Sequence, residues 1–473
     1  MAAEHGHKGA TTAVGAARPL TPSLWQQTRD RIDHIARDSP ARLALAVFAI
    51  IILGITALLQ LPIATATGEK APFIDALFTA TSAVCVTGLV TVDTATFWSP
   101  AGQFVIAIGM MVGGLGVMTL ASILGMAVSR HIGLTRKFLA ATETHARLGE
   151  VGSLIRAVVV VSLSAQGILF TVLTPFFLKE GEPLLEALWH AFFMAASIFN
   201  NGGFVIMTEG LEPHVGDWAL TLPIILGTFV GAIGFPVILD MWRNKRRARR
   251  WNLTTKISLI TYGMLYILGF IAFGILEWGN PKTLGDLSII DGINASMLHA
   301  ASARSSGLAT LNVGDMNETT WFILDALMFV GGGSASAAGG IKVTTLAVLV
   351  LAIIAEARGD RDTEAFGRRL PPDVLRLAIA ATFLGASMVG VGTLTLLQLT
   401  DLPLSKVLFE VISAFATCGL STGITPDLPT SAKSVLVLLM FAGRTGTMTL
   451  AAALALRMRR RVVRLPEERP VIG

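Results

Sequence analysis

Charge is scarce in this chain. Asp, Glu, Lys and Arg make up 15% of its 473 residues, where a soluble domain carries roughly a quarter. That deficit argues against an ordinary soluble enzyme. Cysteine is nearly absent. Cys85 and Cys418 are the only two, too few for a disulfide framework or a thiolate metal site, so both read as small packing residues. No His, Cys or Asp grouping has catalytic or metal-ligand spacing, and most histidines fall in the N-terminal tail or in loops. The chain therefore reads as a non-enzyme without an organic cofactor of its own. No apolar core stretch precedes residue 43, so a cleavable signal peptide is not expected. Residues 1–40 read as a partly disordered cytoplasmic tail with a short helix over 22–38.

What the chain has is apolar sequence: 53% of residues are hydrophobic and the mean hydropathy is +0.66. The runs are long enough to cross a bilayer, which takes about 20 residues each. Residues 43–59, 154–178, 257–276 and 374–399 are four such runs. Residues 103–128, 218–241, 321–354 and 434–456 are four more, interrupted by glycines. Basic clusters at Arg130–Arg147, Arg243–Arg250, Arg358–Arg376 and Arg457–Arg469 alternate with acid-leaning segments around Glu180, Glu209, Glu277 and Asp315. By the positive-inside rule the basic segments and both termini are cytoplasmic. The Arg243–Arg250 run lies between membrane spans, so it is not read as a nucleic-acid patch.

A shorter pattern recurs four times. An apolar stretch of about 13 residues, too short to cross a bilayer, ends in a glycine-bearing turn at Gly88, Gly203, Gly307 and Gly419, about 110 residues apart. The short helices are expected near 73–84, 184–198, 290–303 and 404–416. Asp75, Glu186 and Asp291 open three of them, where the positive end of a helix dipole stabilises an acid; capping at the membrane surface is the plainer reading of each. Irregular backbone at membrane depth is tolerated only in a water-filled path or inside protein. The fold class expected is an all-α polytopic membrane protein, with four span–short helix–turn–span units around one central pore. The boundaries are 1–40 (tail), 41–129, 130–242, 243–355, 356–457 (the four units) and 458–473 (C-terminal tail).

Two features break the fourfold pattern. Residues 331–340 hold five glycines, each costing about 1 kcal/mol in a helix interior. The helix should break there and form a flexible intramembrane loop, read as a gate; close packing through small residues is the alternative. A phosphate loop is excluded, because Ile341 separates Gly340 from Lys342. Arg444 falls inside the last apolar run, where an arginine costs about 2.5–3.5 kcal/mol. It should face inward, meet the 331–340 loop and repel cations, unless it snorkels to the surface. Arg304 and Glu410 are the other charges at membrane depth; a buried pair between them is one arrangement. Gly113-Gly114-Leu115-Gly116 and Gly231-Ala232-Ile233-Gly234 read as packing sites or kinks.

The motifs Thr81-Ser82-Ala83-Val84-Cys85-Val86-Thr87-Gly88-Leu89, Phe199-Asn200-Asn201-Gly202-Gly203-Phe204, Gly339-Gly340-Ile341-Lys342-Val343-Thr344-Thr345 and Gly419-Leu420-Ser421-Thr422-Gly423-Ile424-Thr425-Pro426 resemble those of the Ktr/Trk superfamily of K+ transporters. The KtrB-type membrane subunit is the nearest branch, and the resemblance spans about 41–457. It implies a K+-selective, channel-like subunit. Its filter would be made by Val86, Thr87 and Gly88; Asn201, Gly202 and Gly203; Ser305, Ser306 and Gly307; and Thr417, Cys418 and Gly419. Gly331, Gly332, Gly333, Ser334, Gly339, Gly340, Lys342 and Arg444 would form the gate. In related plant transporters a serine at the first filter glycine accompanies sodium permeation, so Gly88 favours potassium. The resemblance further implies a homodimer in the bacterial plasma membrane. A cytosolic KtrA-type octameric ring of RCK subunits, binding ATP or ADP, would regulate it, and sodium would act as an activator. An ion-coupled symporter working by alternating access is the competing reading. It would favour inverted repeats and midplane acids, which the sequence does not display.

Overall fold

The computed structural model describes residues 40–116, 149–245 and 247–456. The two tails, the 22–38 helix, the basic clusters 130–147 and 457–469 and the end of the 103–128 run lie outside the described residues. Four times the chain runs as a long helix, a short helix, an irregular turn and a further helical segment. The first unit has α1 (Pro40–Leu59), α2 (Phe73–Cys85) and α3 (Pro100–Gly116). The second has α4 (Gly149–Lys179), α5 (Leu184–Asn200), α6 (Trp218–Ile233) and α7 (Phe235–Asn244). The third has α8 (Leu253–Glu277), α9 (Ile289–Ser302), α10 (Glu318–Phe329) and α11 (Val343–Arg358). The fourth has α12 (Pro372–Leu399), α13 (Leu404–Ala416) and α14 (Thr430–Leu456). A two-residue-per-strand hairpin, β1 (Glu364–Ala365) with β2 (Arg368–Arg369), sits between the last two units. It turns on Phe366 and Gly367, both at positive φ, as a tight hairpin requires.

The short helices start where the sequence forces a start. Pro72, Pro183 and Pro403 stand at three N-caps; their fixed φ and missing N–H suit a helix entry. The fourth begins at Ser288, whose Oγ accepts the Asp291 amide at 3.2 Å and donates to the Asp291 carboxylate at 2.7 Å. Asp75, Glu186 and Asp291 all lie in first turns. Beyond those turns nearly every residue of the short helices is buried.

Each short helix packs on the long helix before it: α2 on α1, α5 on α4, α9 on α8, α13 on α12. Three of them also pack on the preceding unit, α9 on α6, α13 on α10 and α2 on α14, so the fourth unit closes back on the first. The long helices are inverted in polarity relative to a soluble bundle. Ile50, Ile168, Ile275, Phe383 and Leu438 point outward and are well exposed, while Thr81, Ser82, Asn200, Asn201, Arg304 and Glu410 are buried. Apolar surface on that scale is sustained by lipid, not water. Among the described residues α4 (from Arg156), α8 and α12 are each long and apolar enough to cross a membrane alone, and α6 and α7 are long and apolar enough only together, bent by 95° at a short break. The bend falls at Gly234 (φ 102°), inside the glycine group read as a packing site or a kink.

Glu277 departs from the sequence reading. It lies in an acid-leaning segment between apolar runs, yet it is fully buried. Its carboxylate accepts from Asn280 Nδ2 (2.7 Å), Thr283 Oγ1 (2.6 Å), the Asn317 amide (2.9 Å) and Thr320 Oγ1. A buried carboxylate is stable only when so satisfied, and this one ties the end of α8 to the start of α10.

Candidate ion site

Four turns follow the four short helices; three open on a left-handed C-cap residue, and all four reach a glycine at positive φ. The turn glycines have φ of 91° (Gly88), 73° (Gly203), 66° (Gly307) and 97° (Gly419). Two residues earlier a non-glycine also has positive φ: Val86 55°, Asn201 57°, Ser305 154° and Thr417 47°. Residues between them, Thr87, Gly202, Ser306 and Cys418, are not in that region. A backbone that alternates hand in this way turns successive carbonyls toward one side, the geometry a dehydrated cation needs.

The turns are neighbours in chain order around a closed ring. A Cβ placed on Gly88 would lie 2.7 Å from Gly203 Cα, and one on Gly203 would lie 2.7 Å from Ser306 O. On Gly307 it would meet Cys418 O at 2.6 Å, and on Gly419 it would strike Thr87 O. No side chain fits at any of the four. Glycine is required twice at each, for the left-handed φ and for the close approach.

The turns are anchored from behind. Ser82 Oγ accepts the Gly88 amide at 3.0 Å, and Ser413 Oγ accepts the Gly419 amide at 3.1 Å, each six residues upstream. Ser197 holds the same place relative to Gly203 but makes no side-chain hydrogen bond among the described residues. The third turn differs. Gly307 comes five residues after the last helical residue, Ser302, whereas the other three glycines come three residues after Cys85, Asn200 and Ala416. Ser302 O gathers the amides of Ser305 and Ser306 at 3.0 and 3.1 Å.

Residues 330–342 break the third unit's second span between α10 and α11. The loop is seated rather than loose. Gly333 and Ala337 donate amides to Ala232 O (2.8 Å) and Gly231 O (3.1 Å), and the Phe235 amide donates to Ala335 O (3.2 Å), all across the bend between α6 and α7. Lys342 Nζ reaches Ala338 O at 2.5 Å, and Ser334 Oγ pairs with Thr344 Oγ1 at 2.9 Å. Cβ atoms on Gly331, Gly332, Gly333 and Gly339 would strike Gly339 O, Ala232 O, Ile233 O and Thr417 Oγ1 respectively. These glycines thus permit close backbone packing as well as the break. Gly340 (φ 64°) lies against Ala416. The loop therefore touches the end of α13, where the fourth turn begins.

Arg444 is 2% exposed, so it does not snorkel. Its Nη1 donates to Ala337 O in the loop, and its Nη2 lies 3.5 Å from Gly113 O of α3. Among the described residues no carboxylate lies within ion-pair distance of it.

The family described as TrkH, a cation transport protein, matches residues 20–461. The chain belongs to this family. The Ktr system potassium uptake protein B of Bacillus subtilis (strain 168) is 37% identical over 434 residues, covering 90% of this chain and 95% of that protein. The protein of the same description from Vibrio alginolyticus is 32% identical, over 93% of this chain and 96% of its own length. The potassium/sodium uptake protein NtpJ of Enterococcus hirae is 32% identical, over 92% and 98%. In fold, the crystal structure of the potassium transporter TrkH from Vibrio parahaemolyticus superposes with a TM-score of 0.67 at 18% identity, covering 86% of this chain and 84% of that one. The chain is accordingly a membrane cation transporter and not an enzyme.

The structure also corrects one reading. Arg304 and Glu410 do not pair. Glu410 accepts from Ser421 Oγ at 2.9 and 3.1 Å and from Thr425 Oγ1, bracing the segment after Gly419. Arg304 instead donates from Nη2 to Gly331 O at 2.7 Å, with its guanidinium 4.7 Å above the Tyr262 ring. Tyr262 gave no signal in sequence, since an aromatic in a span is usually packing. Glu180, His214 and Asp217 also come together, their ligand-type atoms within 4.8 Å. Glu180 is too far from the other two in sequence for spacing to reveal the group, and the His214–Asp217 hydrogen bond of 3.0 Å, between residues three apart, accounts for two of them.

Proposed function

We propose that this TrkH-family protein is the K+-selective, channel-like subunit of a Ktr-type potassium uptake system. The observation that carries the reading is the closed ring of four turns at Gly88, Gly203, Gly307 and Gly419, each alternating in backbone hand. Carbonyls of Val86, Thr87, Asn201, Gly202, Ser305, Ser306, Thr417 and Cys418, with those of the glycines, replace the hydration shell of K+. The C-terminal ends of α2, α5, α9 and α13 lead into the ring, and each brings roughly half a negative charge toward the ion.

The gate is residues 331–340 with Lys342 and Arg444. A cation passing within about 6 Å of the Arg444 guanidinium, at an effective dielectric of about 20, meets a repulsion of roughly 3 kcal/mol, on the order of a hundredfold in rate. Moving the loop moves Ala337, the acceptor that positions Arg444. A homodimer regulated by a cytosolic RCK ring that binds ATP or ADP completes the system, with the basic segments and termini cytoplasmic and Na+ as activator. The names of the Bacillus, Vibrio and Enterococcus relatives support potassium as cargo.

The test is rescue of a potassium-uptake-deficient bacterium at low external K+, with and without an RCK partner. Growth restored by the intact chain, and lost when Gly88 is replaced, supports the reading. No rescue by a chain present in the membrane with its partner contradicts it.

A further inference from the structure

Arg304 lies within the lengthened third turn, between the end of α9 at Ser302 and Gly307. Its side chain leaves the ring and reaches the intramembrane loop. Nη2 donates to Gly331 O at 2.7 Å, and the guanidinium lies 4.7 Å above the ring of Tyr262 on α8. The residue is fully buried, and among the described residues Nε and Nη1 have no acceptor and no carboxylate is in reach. An arginine so placed is costly. Replacing it by an apolar residue would relieve that cost unless the charge serves the transporter.

The loop it holds is itself in contact with the ring. Gly331 packs on Gly339, and Gly339 packs on Ala416 and Thr417 at the fourth turn. The third and fourth turns thus each hold one glycine end of the loop, one through a guanidinium and one through direct backbone contact. Arg444 holds the middle, at Ala337. Displacing the loop removes the one hydrogen-bond acceptor that Arg304 has among the described residues. The guanidinium must then follow Gly331 or turn to another acceptor, and either movement acts on Ser305, Ser306 and Gly307.

We propose that Arg304 is a positioning residue that couples the third turn to the loop, so that ion selectivity and loop position change together. The proposal rests on reading the turns as the filter and the loop as the gate. A residue that served only to stabilise the fold would lower protein yield and leave the ion ratio alone.

The experiment measures K+ and Na+ flux through the full-length protein in liposomes, normalised to reconstituted protein. The variants are Arg304→Gln, Arg304→Lys and Tyr262→Leu, in the intact chain and with 331–340 shortened. In the intact chain Arg304→Gln lowers the K+/Na+ ratio by roughly tenfold, the size of one lost charge-assisted hydrogen bond, and raises basal flux. Arg304→Lys, which keeps the charge without the planar fork, recovers part of the ratio. Tyr262→Leu moves it in the same direction as Arg304→Gln by less, and answers the question even where Arg304→Gln does not fold. With the loop shortened, Arg304→Gln adds nothing to basal flux. Unchanged ratios in all three variants, or flux increases that simply add to those of the shortened loop, overturn the coupling. Gly88→Ser is run alongside. If it shifts the ratio while the Arg304 and Tyr262 variants do not, the coupling alone is wrong; if it also leaves the ratio unmoved, the filter reading has failed.

Discussion

At Gly88 two constraints coincide: a φ of 91° and a neighbouring backbone 2.7 Å from where a Cβ would stand. A left-handed φ alone costs a non-glycine residue about 1–2 kcal/mol, and the overlap must be relieved by moving Gly203. Gly88→Ser is therefore expected to widen the ring on that side and raise Na+ flux relative to K+ by several-fold; a ratio equal to that of the parent protein counts against the assignment. The serines behind the turns give a finer contrast. Ser82→Ala removes a hydrogen bond to the Gly88 amide, about 1 kcal/mol net and more if the amide is left unsatisfied. Ser197 Oγ makes no such bond among the described residues. Selectivity should fall in Ser82→Ala and hold in Ser197→Ala, as read by competitive flux; equal effects would show that the latch is not what matters. Arg444→Ala should raise basal flux, because it removes both the positive charge and the Ala337 contact. Flux at or below the parent level, at equal protein in the membrane, would contradict that.

How far these residues are legible in sequence depends on whether their role is local. The positive-φ glycines are, because a turn after a helix demands them wherever it occurs. The partners of the buried charges are not. Arg304 and Glu410 invite pairing on paper, yet each finds closer partners: a loop carbonyl and an aromatic face for one, two hydroxyls for the other. Glu277 looks like a surface acid until α8 and α10 are brought together around it. Glu277→Ala should lower the Tm in detergent by several degrees, since it leaves the Asn317 amide and two threonine hydroxyls without their acceptor. An unchanged Tm would mean the carboxylate contributes nothing to joining the helices.

Among the elements, the short helices are the most legible. Their length, the proline or serine before them and the glycines after them mark both ends, and all four occur close to the expected residues. The third turn is the exception. Its two additional residues are invisible to a comparison of glycine spacing, because they follow a helix that ends early. The break at 330–342 is likewise legible from glycine content, but what the loop rests on is not. Its seat on the bend between α6 and α7 joins segments about 100 residues apart, a contact that only the folded chain defines. Shortening 331–340 should raise basal K+ flux in liposomes, because the seat on Gly231 and Ala232 is lost along with the Ala337 contact to Arg444. Flux unchanged or reduced would leave the loop as packing and remove its role as a gate.

For the molecule as a whole, polarity is inverted: apolar side chains face outward on the long helices, while serines, threonines and asparagines of the short helices and turns are buried together with Glu277, Arg304, Glu410 and Arg444. The run lengths and the charge deficit make the membrane class plain. The closure of four units into a ring is less so, since repetition alone fits a linear array as well as a circle. Contact of α14 with α1 and α2 closes it. That closure is the central claim, and it makes the four glycines equivalent in effect though not in sequence. The direct measurement is the K+/Na+ flux ratio in liposomes for Gly88→Ala, Gly203→Ala, Gly307→Ala and Gly419→Ala, one at a time. One shared filter predicts that each substitution alone lowers the ratio. Any one of the four that folds, conducts and keeps the parent ratio would contradict a single ring.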